Sequence, residues 1–341
     1  MRSAFIDNLK GLAFLLIVFH HLAFYGPMSD VAHSVIPELI DFFFDYGRWA
    51  VAVFLCLGGF LTGLKISEPN YFAKKNVFTV IGHKYIRLAL PYLAAIVLAI
   101  VCSFVAKQWM SHDSISNTPE VEQLISHVFF LQNILGYESF SAGLWYVAID
   151  FQLFVVCALI VFLVEKFSSA GWPLSRTRFL SLIIFGLLII LSTCFFNLDD
   201  AWDVWFVYFF AAYGLGLLTA YFVKHPSNYV WMFSVVAVVI FSLYHQEFRE
   251  RLLLALLTAM LLAISHSFNW SQAKLWNNPL ATLGQMSYSV FLVHFPVSLL
   301  ISSLWINLYP TDPWMNVAGM GVSAITSILV AIPFYRYIET R

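Results

Sequence analysis

Residues 7–21 read DNLKGLAFLLIVFHH, with an acid and a base at one end of an apolar run and two adjacent histidines near the other. Imidazole is the side chain best suited to moving protons near neutral pH, and it becomes an effective general base when a second group holds its tautomer. At about 100° per residue of α-helix, Lys10 and His21 point within about 20° of each other, and Asp7 lies about 60° from Lys10. Asp7, Lys10 and His21 therefore share one side of a helix, with Phe14, Ile17 and Val18 between them. Lys10 and His21 are separated by ~16 Å along that side. His20 falls on a different face, where a structural or interfacial role is the simpler expectation.

Three further segments carry polar or ionisable groups inside apolar runs. LWYVAIDFQLF (144–154) contains Asp150 and Gln152, and LGQMSYSVFLVHFPV (283–297) contains Ser287, Tyr288 and His294, with Pro296 close behind. HKYIRLALPY (83–92) opens with Lys84 and Arg87. Ionisable groups inside a membrane span are costly and mark function by default. Each also has a plain structural reading, as an intramembrane hydrogen bond or, for Lys84 and Arg87, as a cytoplasmic anchor. The functional reading of that basic pair is a grip on a polyanionic ligand. Counting residues from the span ends puts His21 ~6 Å and Asp150 ~9–11 Å below the outer surface. If their helices are neighbours, the Asp150 carboxylate is expected to orient the His21 imidazole.

The elements that must hold these groups are membrane helices. Of 341 residues 61% are hydrophobic and 11% charged, and the mean hydropathy is +0.80. Soluble domains carry about 25% charged residues. The composition predicts an all-α, polytopic integral membrane bundle forming one domain over 1–341. A span needs roughly 20 apolar residues. Ten runs qualify, at about 8–25, 48–65, 85–108, 143–164, 178–197, 202–222, 229–245, 251–266, 284–306 and 315–338, the seventh and eighth being the shortest. With ten spans, all of the 18 Lys and Arg except Arg48, Lys107, Arg249 and Arg251 fall on one side. The positive-inside rule then makes both termini cytoplasmic. The outer segment 109–142 includes VEQLISHVFFLQNIL, expected as an amphipathic interfacial helix.

The formal net charge of −1 argues against nucleic-acid binding. Cys56, Cys102, Cys157 and Cys194 all sit in apolar runs without metal-ligand spacing, so no metal site is expected. The first span is followed by Tyr25-Gly26-Pro27 rather than a small-residue cleavage site, so it is expected to stay as a span.

The ordered set of segments resembles the acyltransferase-3 family of integral membrane acyltransferases, which includes bacterial O-acetyltransferases of surface polysaccharides. IDNLKGLAFLLIVFHH (6–21) is similar to the family's opening, an Arg followed by ten residues and a catalytic His. VAVFLCLGGFLTG (51–63) resembles its FFxLSGFLIT-like second span, LWYVAIDFQLF its W-S-L-x-x-E-x-Q-F-Y motif and LGQMSYSVFLVHFPV its late G-x-x-S-Y-x-x-Y-L-x-H segment. YRYIE (335–339) resembles the closing Y-R-x-x-E and brings in Glu339. Lys10 stands where the motif has Arg, Asp150 where it has Glu, and Gly58 precedes Gly59 where the family usually has Ser-Gly. Arg87 and Pro91 resemble the family's third-span Arg and Pro.

The resemblance implies transfer of an acyl group, with acetyl as the expected one, from cytoplasmic acyl-CoA as donor substrate, with no bound cofactor. The acceptor it implies is a hydroxyl of a carbohydrate or lipid-linked envelope molecule, and the location a bacterial inner membrane. His21 takes the catalytic position and Asp150 its orienting partner. Lys10, Lys84 and Arg87 would hold the CoA phosphates at the cytoplasmic mouth. Ser287, Tyr288 and His294 are candidates for the oxyanion donor, with Asp7, His20, Gln152 and Glu339 in support. Direct transfer and an acyl-histidine intermediate both fit this set. Intramembrane Asp and His with a Pro-broken helix also fit a proton-coupled transporter or flippase.

Overall fold

Apolar runs dictate the architecture because a backbone in lipid must satisfy its own hydrogen bonds, which helices do. A computed structural model describes residues 3–68, 70–168, 173–225, 229–270, 276 and 278–340. Arg2, Lys274 and Arg341, which enter the charge balance, lie outside the described residues. The helices are α1 (Ala4–Phe24), α2 (Met28–Ala32), α3 (Pro37–Tyr46), α4 (Ala50–Ile66), α5 (Tyr71–Lys74), α6 (Val77–Ala106), α7 (Val121–Val128) and α8 (Leu144–Phe167). They continue with α9 (Leu174–Cys194), α10 (Phe206–Lys224), α11 (Tyr229–His245), α12 (Glu250–Ser267), α13 (Pro279–Gln285), α14 (Ser287–Leu308) and α15 (Pro313–Phe334). The described residues contain no strand.

Nine of these helical segments are long and apolar enough to cross a membrane, and α11, at 17 residues, is a shorter apolar helix. The chain is a multi-pass helical membrane protein. The spans differ from the sequence expectation in detail. The third begins at Val77 rather than about 85, so Lys84 and Arg87 lie two to three turns inside α6. The second is preceded by α3 and a 3-10 turn at Gly47–Trp49, forming one apolar stretch over Pro37–Ile66. The ninth is broken at Met286 between α13 and α14. Caps mark two starts, where Asn278 accepts from Ala281 N–H at 3.0 Å and Asp312 from Met315 N–H at 3.1 Å.

Helix α6 displays the burial rule of a lipid-facing bundle. Leu90, Val97, Val101 and Phe104 are exposed, while Tyr92, Ile96, Ala99 and Ala106 are buried. Both sets repeat at helical spacing, so large apolar side chains face lipid and the inner stripe packs on protein.

Contacts cluster into two units, each assembled from three chain segments. The first comprises Met1–Ile6, Val51–Tyr85 and Ala148–Asn277. In it α4 and α10 cross at paired glycines. A Cβ on Gly59 would meet the Tyr213 carbonyl oxygen at 1.8 Å, and one on Gly216 the Cys56 oxygen at 1.9 Å. Only glycine permits that approach. The second unit comprises Asp7–Ala50, Ile86–Val147 and Asn278–Arg341. There α1 crosses α13 in the same way, since a Cβ on Gly284 would lie 1.7 Å from the Asp7 oxygen and one on Gly11 2.3 Å from the Leu280 oxygen. This crossing sets α1 against the segment leading into α14.

Candidate active site

Helices α1 and α14 of the second unit bring two histidines together. His21 Nδ1 lies 2.6 Å from His294 Nε2. The rings are nearly coplanar, at 6°, and their centroids are 4.9 Å apart, which is the N···N distance extended by one ring radius at each end. The bond therefore runs close to the line joining the rings. Both side chains are buried, His21 at 8% and His294 at 0% exposure. Phe14, Ile17 and Val18, the residues between Lys10 and His21, are buried with them. Tyr25 and Phe295 wall the imidazole of His21 edge-on, at centroid distances of 5.5 and 5.9 Å. Burial pushes the Tyr25 phenol above its ordinary pKa, so it stays protonated.

The hydrogen bonds have one direction. His294 Nδ1 faces two carbonyls of its own helix, Val290 O at 3.0 Å and Phe291 O at 2.8 Å. A carbonyl only accepts, so Nδ1 carries the proton and a neutral His294 presents a lone pair at Nε2. That lone pair accepts from His21 Nδ1–H. His21 is thereby left with its lone pair on Nε2, to which no protein group among the described residues donates. The neighbouring His20 is oriented separately, its Nδ1 donating to Phe43 O at 2.9 Å. Pro296 follows two residues after His294 inside α14, and the His294 carbonyl accepts from Ser327 Oγ of α15 at 3.3 Å.

A second polar centre lies at the start of α14. Glu339 Oε2 accepts from Ser289 N–H at 3.0 Å and Ser289 Oγ at 2.5 Å, so the Glu339 side-chain carboxylate caps the first turn of the helix that bears His294. The charges of Arg87 and Lys10 both bear on Glu339. Lys10, Arg87 and Glu339, drawn from three distant segments, thus share one neighbourhood, and Asp7 is buried on the same helix as Lys10. Tyr288 Oη donates to Leu88 O at 2.8 Å, and Ser287 opens α14 about two turns before His294. His294 uses both ring nitrogens. The expected oxyanion donors are therefore committed elsewhere or set apart from the histidine pair along the helix.

Asp150 belongs to the first unit. Its Oδ2 accepts from Lys84 Nζ at 2.7 Å. Gly58 leaves it room, since a Cβ there would lie 3.3 Å from Oδ1. The group that orients His21 is His294, and the cation expected at a donor phosphate, Lys84, is paired with Asp150. Shared depth, which suggested the Asp150–His21 partnership, says nothing about which way each helix faces. Gln152 ties α8 to the start of α10, accepting from Phe206 N–H at 3.0 Å and donating to Val204 O at 3.2 Å. Among the described residues no cluster of three His, Cys, Asp or Glu could hold a metal ion. All four cysteines are free, three of them buried.

A base held in one tautomer inside an apolar wall suits proton removal from a hydroxyl. The family model for the acyltransferase domain of the acyltransferase-3 type matches residues 3–336, nearly the whole chain. The chain belongs to the acyltransferase-3 family. This acyltransferase therefore transfers an acyl group other than aminoacyl, between a donor and an acceptor, within a membrane. The transporter expectation is set aside on that ground. Neither curated proteins nor solved structures gave a significant match.

Proposed function

We propose that this membrane acyltransferase moves an acyl group, acetyl in the simplest case, from acyl-CoA to a hydroxyl of a carbohydrate or lipid-linked envelope acceptor. The observation that carries this reading is the directed chain from the α14 carbonyls through His294 to His21. His21 Nε2 removes the acceptor proton as the oxygen attacks the thioester carbonyl. The C–S bond breaks, and the departing thiolate takes the proton back from His21. His294 Nε2 accepts from His21 Nδ1–H throughout and supports the imidazolium as it forms. Such general-base assistance is worth about 10²–10⁴ in rate.

Lys10 and Arg87 are the cations assigned to the donor phosphates, with Glu339 beside them holding the start of α14. Lys84 leaves that set because its charge belongs to Asp150. The membrane is taken as a bacterial inner membrane with both termini cytoplasmic. This requires α11 to cross. Its 17 residues span ~26 Å, close to the ~30 Å hydrocarbon thickness.

The test is transfer of labelled acetyl from acetyl-CoA by the purified protein in detergent, supplied in turn with envelope glycan and lipid fractions. Label is expected in one fraction with wild type and at least 10²-fold less with His21→Ala. Equal labelling by the two proteins, or none by wild type with any fraction, overturns the reading.

A further inference from the structure

The loop between α6 and α8 holds buried polar atoms that the reaction above does not use. Tyr92 of α6, His127 of α7 and Gln132 in the following turn are each 0% exposed. Tyr92 Oη, His127 Nε2 and both amide atoms of Gln132 have no hydrogen-bond partner among the described residues. Buried polar groups are nearly always paired, so several orphans together call for an occupant. Tyr92 and His127 are neighbours, and Gln132 follows His127 by five residues. The Tyr92 and His127 rings face each other at 6.3 Å and 29°. Phe130 packs edge-on to Tyr92 at 4.9 Å and Phe140 lies against His127 at 4.6 Å. Gln132 is held in the same turn, where Leu131 N–H bonds Ser126 O at 2.9 Å and Tyr137 N–H bonds Gln132 O at 2.8 Å.

Their chemistry selects a ligand class. His127 Nδ1 donates to Gln123 O at 2.8 Å, so Nε2 offers a lone pair. Burial holds the ring below the ordinary histidine pKa and hence neutral at pH 7. An anion would meet that lone pair and is disfavoured, and none of the three side chains supplies a negative charge for a cation. Together they offer an acceptor at His127, a donor and an acceptor at Gln132 and a hydroxyl at Tyr92, between aromatic faces. Hydroxyl groups both donate and accept, and the C–H faces of a sugar ring pack on aromatic rings.

The segment that follows the site also reaches the helix that carries His294. Three residues after Phe140, Gly143 lies against Phe291, whose ring would be 3.0 Å from a Cβ there. The Phe291 carbonyl accepts from His294 Nδ1. We propose that Tyr92, His127 and Gln132 form a subsite for the neutral sugar ring of the acyl acceptor, closed in this state and opened by movement of the 129–141 turn. The turn is suited to such movement. Phe130 is in the left-handed region at φ 59°, a conformation that strains a bulky residue. Phe129, Leu131 and Leu135 are exposed on the turn's outer side. This inference rests on the reading of a carbohydrate acceptor and says where that acceptor is held.

The experiment uses the full-length enzyme, acetyl-CoA and the envelope glycan fraction labelled by wild type. Gln132→Met removes the orphaned amide while keeping its volume. The half-saturating glycan concentration is expected to rise roughly tenfold, with the half-saturating acetyl-CoA concentration unchanged and thermal stability equal or higher. Higher stability with unchanged glycan saturation would make the amide a packing defect, and lower stability with unchanged saturation would make it a structural group; either overturns the subsite. Tyr92→Phe, which loses one oxygen, gives the same comparison with a several-fold expected rise should Gln132→Met fail to fold. If wild type labels no glycan, the carbohydrate reading falls and the subsite with it. If wild type labels glycan and both variants saturate as wild type does, only the subsite falls.

Discussion

Removing the acceptor nitrogen behind His21 should slow transfer far more than it weakens substrate binding. In the ground state His294 Nε2 accepts from a neutral imidazole. In the transition state His21 gains a proton and the same 2.6 Å bond becomes charge-assisted. Hydrogen bonds to charged groups contribute about 1.5–3 kcal/mol, so His294→Leu is expected to lower kcat by about 10- to 150-fold. The mutation also leaves His21 Nδ1–H buried without an acceptor, costing about 1–3 kcal/mol of stability. Rates must therefore be taken on folded protein, with the thermal midpoint in detergent measured alongside. His294→Gln, whose amide oxygen can accept from His21, should recover part of the rate. Single-turnover transfer of labelled acetyl gives the assay, and a cycle with His21→Ala gives the decisive comparison. If His294 acts only through His21, adding His294→Leu to His21→Ala costs no further rate. A single variant within about twofold of wild type, or full additivity in the double variant, refutes the directed chain.

The Lys84–Asp150 pair is partly buried, with side chains 26% and 13% exposed. Lys84→Met alone is expected to destabilise the protein by about 1–3 kcal/mol, and Lys84→Met with Asp150→Leu to recover most of that loss. Thermal melts of the three proteins check this, and near-wild-type turnover in the double variant would make Asp150 structural. Stability should also depend on His127. Its pKa is depressed in the fold, so the folded state binds fewer protons than the unfolded one. The contribution of neutral His127 is thus present above its unfolded pKa near 6.5 and is lost as pH falls from there through the lowered folded value. Melts between neutral and acid pH should show this limb in wild type and a flatter one in His127→Gln.

The membrane bundle was legible because a helix crossing lipid needs an uninterrupted apolar run of defined length, a property of local sequence. The boundaries that moved are those set by neighbours. Val77–Ile81 reads as a loop flank beside Lys74 and Lys75 but joins α6, and Met286 breaks an apolar run where α13 packs on Gly11. In the site, His21 stood out because periodicity aligns it with Lys10 on one face. His294 was expected as an oxyanion donor and Glu339 as a supporting residue of the closing segment, and neither the bond to His21 nor the cap on α14 could be read from their spacing. The orphaned atoms of Tyr92 and Gln132 left no trace, since an unpaired hydrogen-bonding atom is defined only by what surrounds it.

Residue type and helical spacing alone determined that this chain crosses a membrane many times, that α1 presents a base and an imidazole on one side, and that an acid lies within α8. Only tertiary packing decided the partners. Within the second unit the glycine crossing of α1 and α13 and the Glu339 cap place α14 so that His294 meets a residue 273 positions away. Asp150 instead meets Lys84, because α8 turns that face toward the start of α6. Depth in a bilayer is a one-dimensional coordinate read from sequence, whereas a hydrogen bond also requires the rotation and closeness of two helices, which side chains far from the site set.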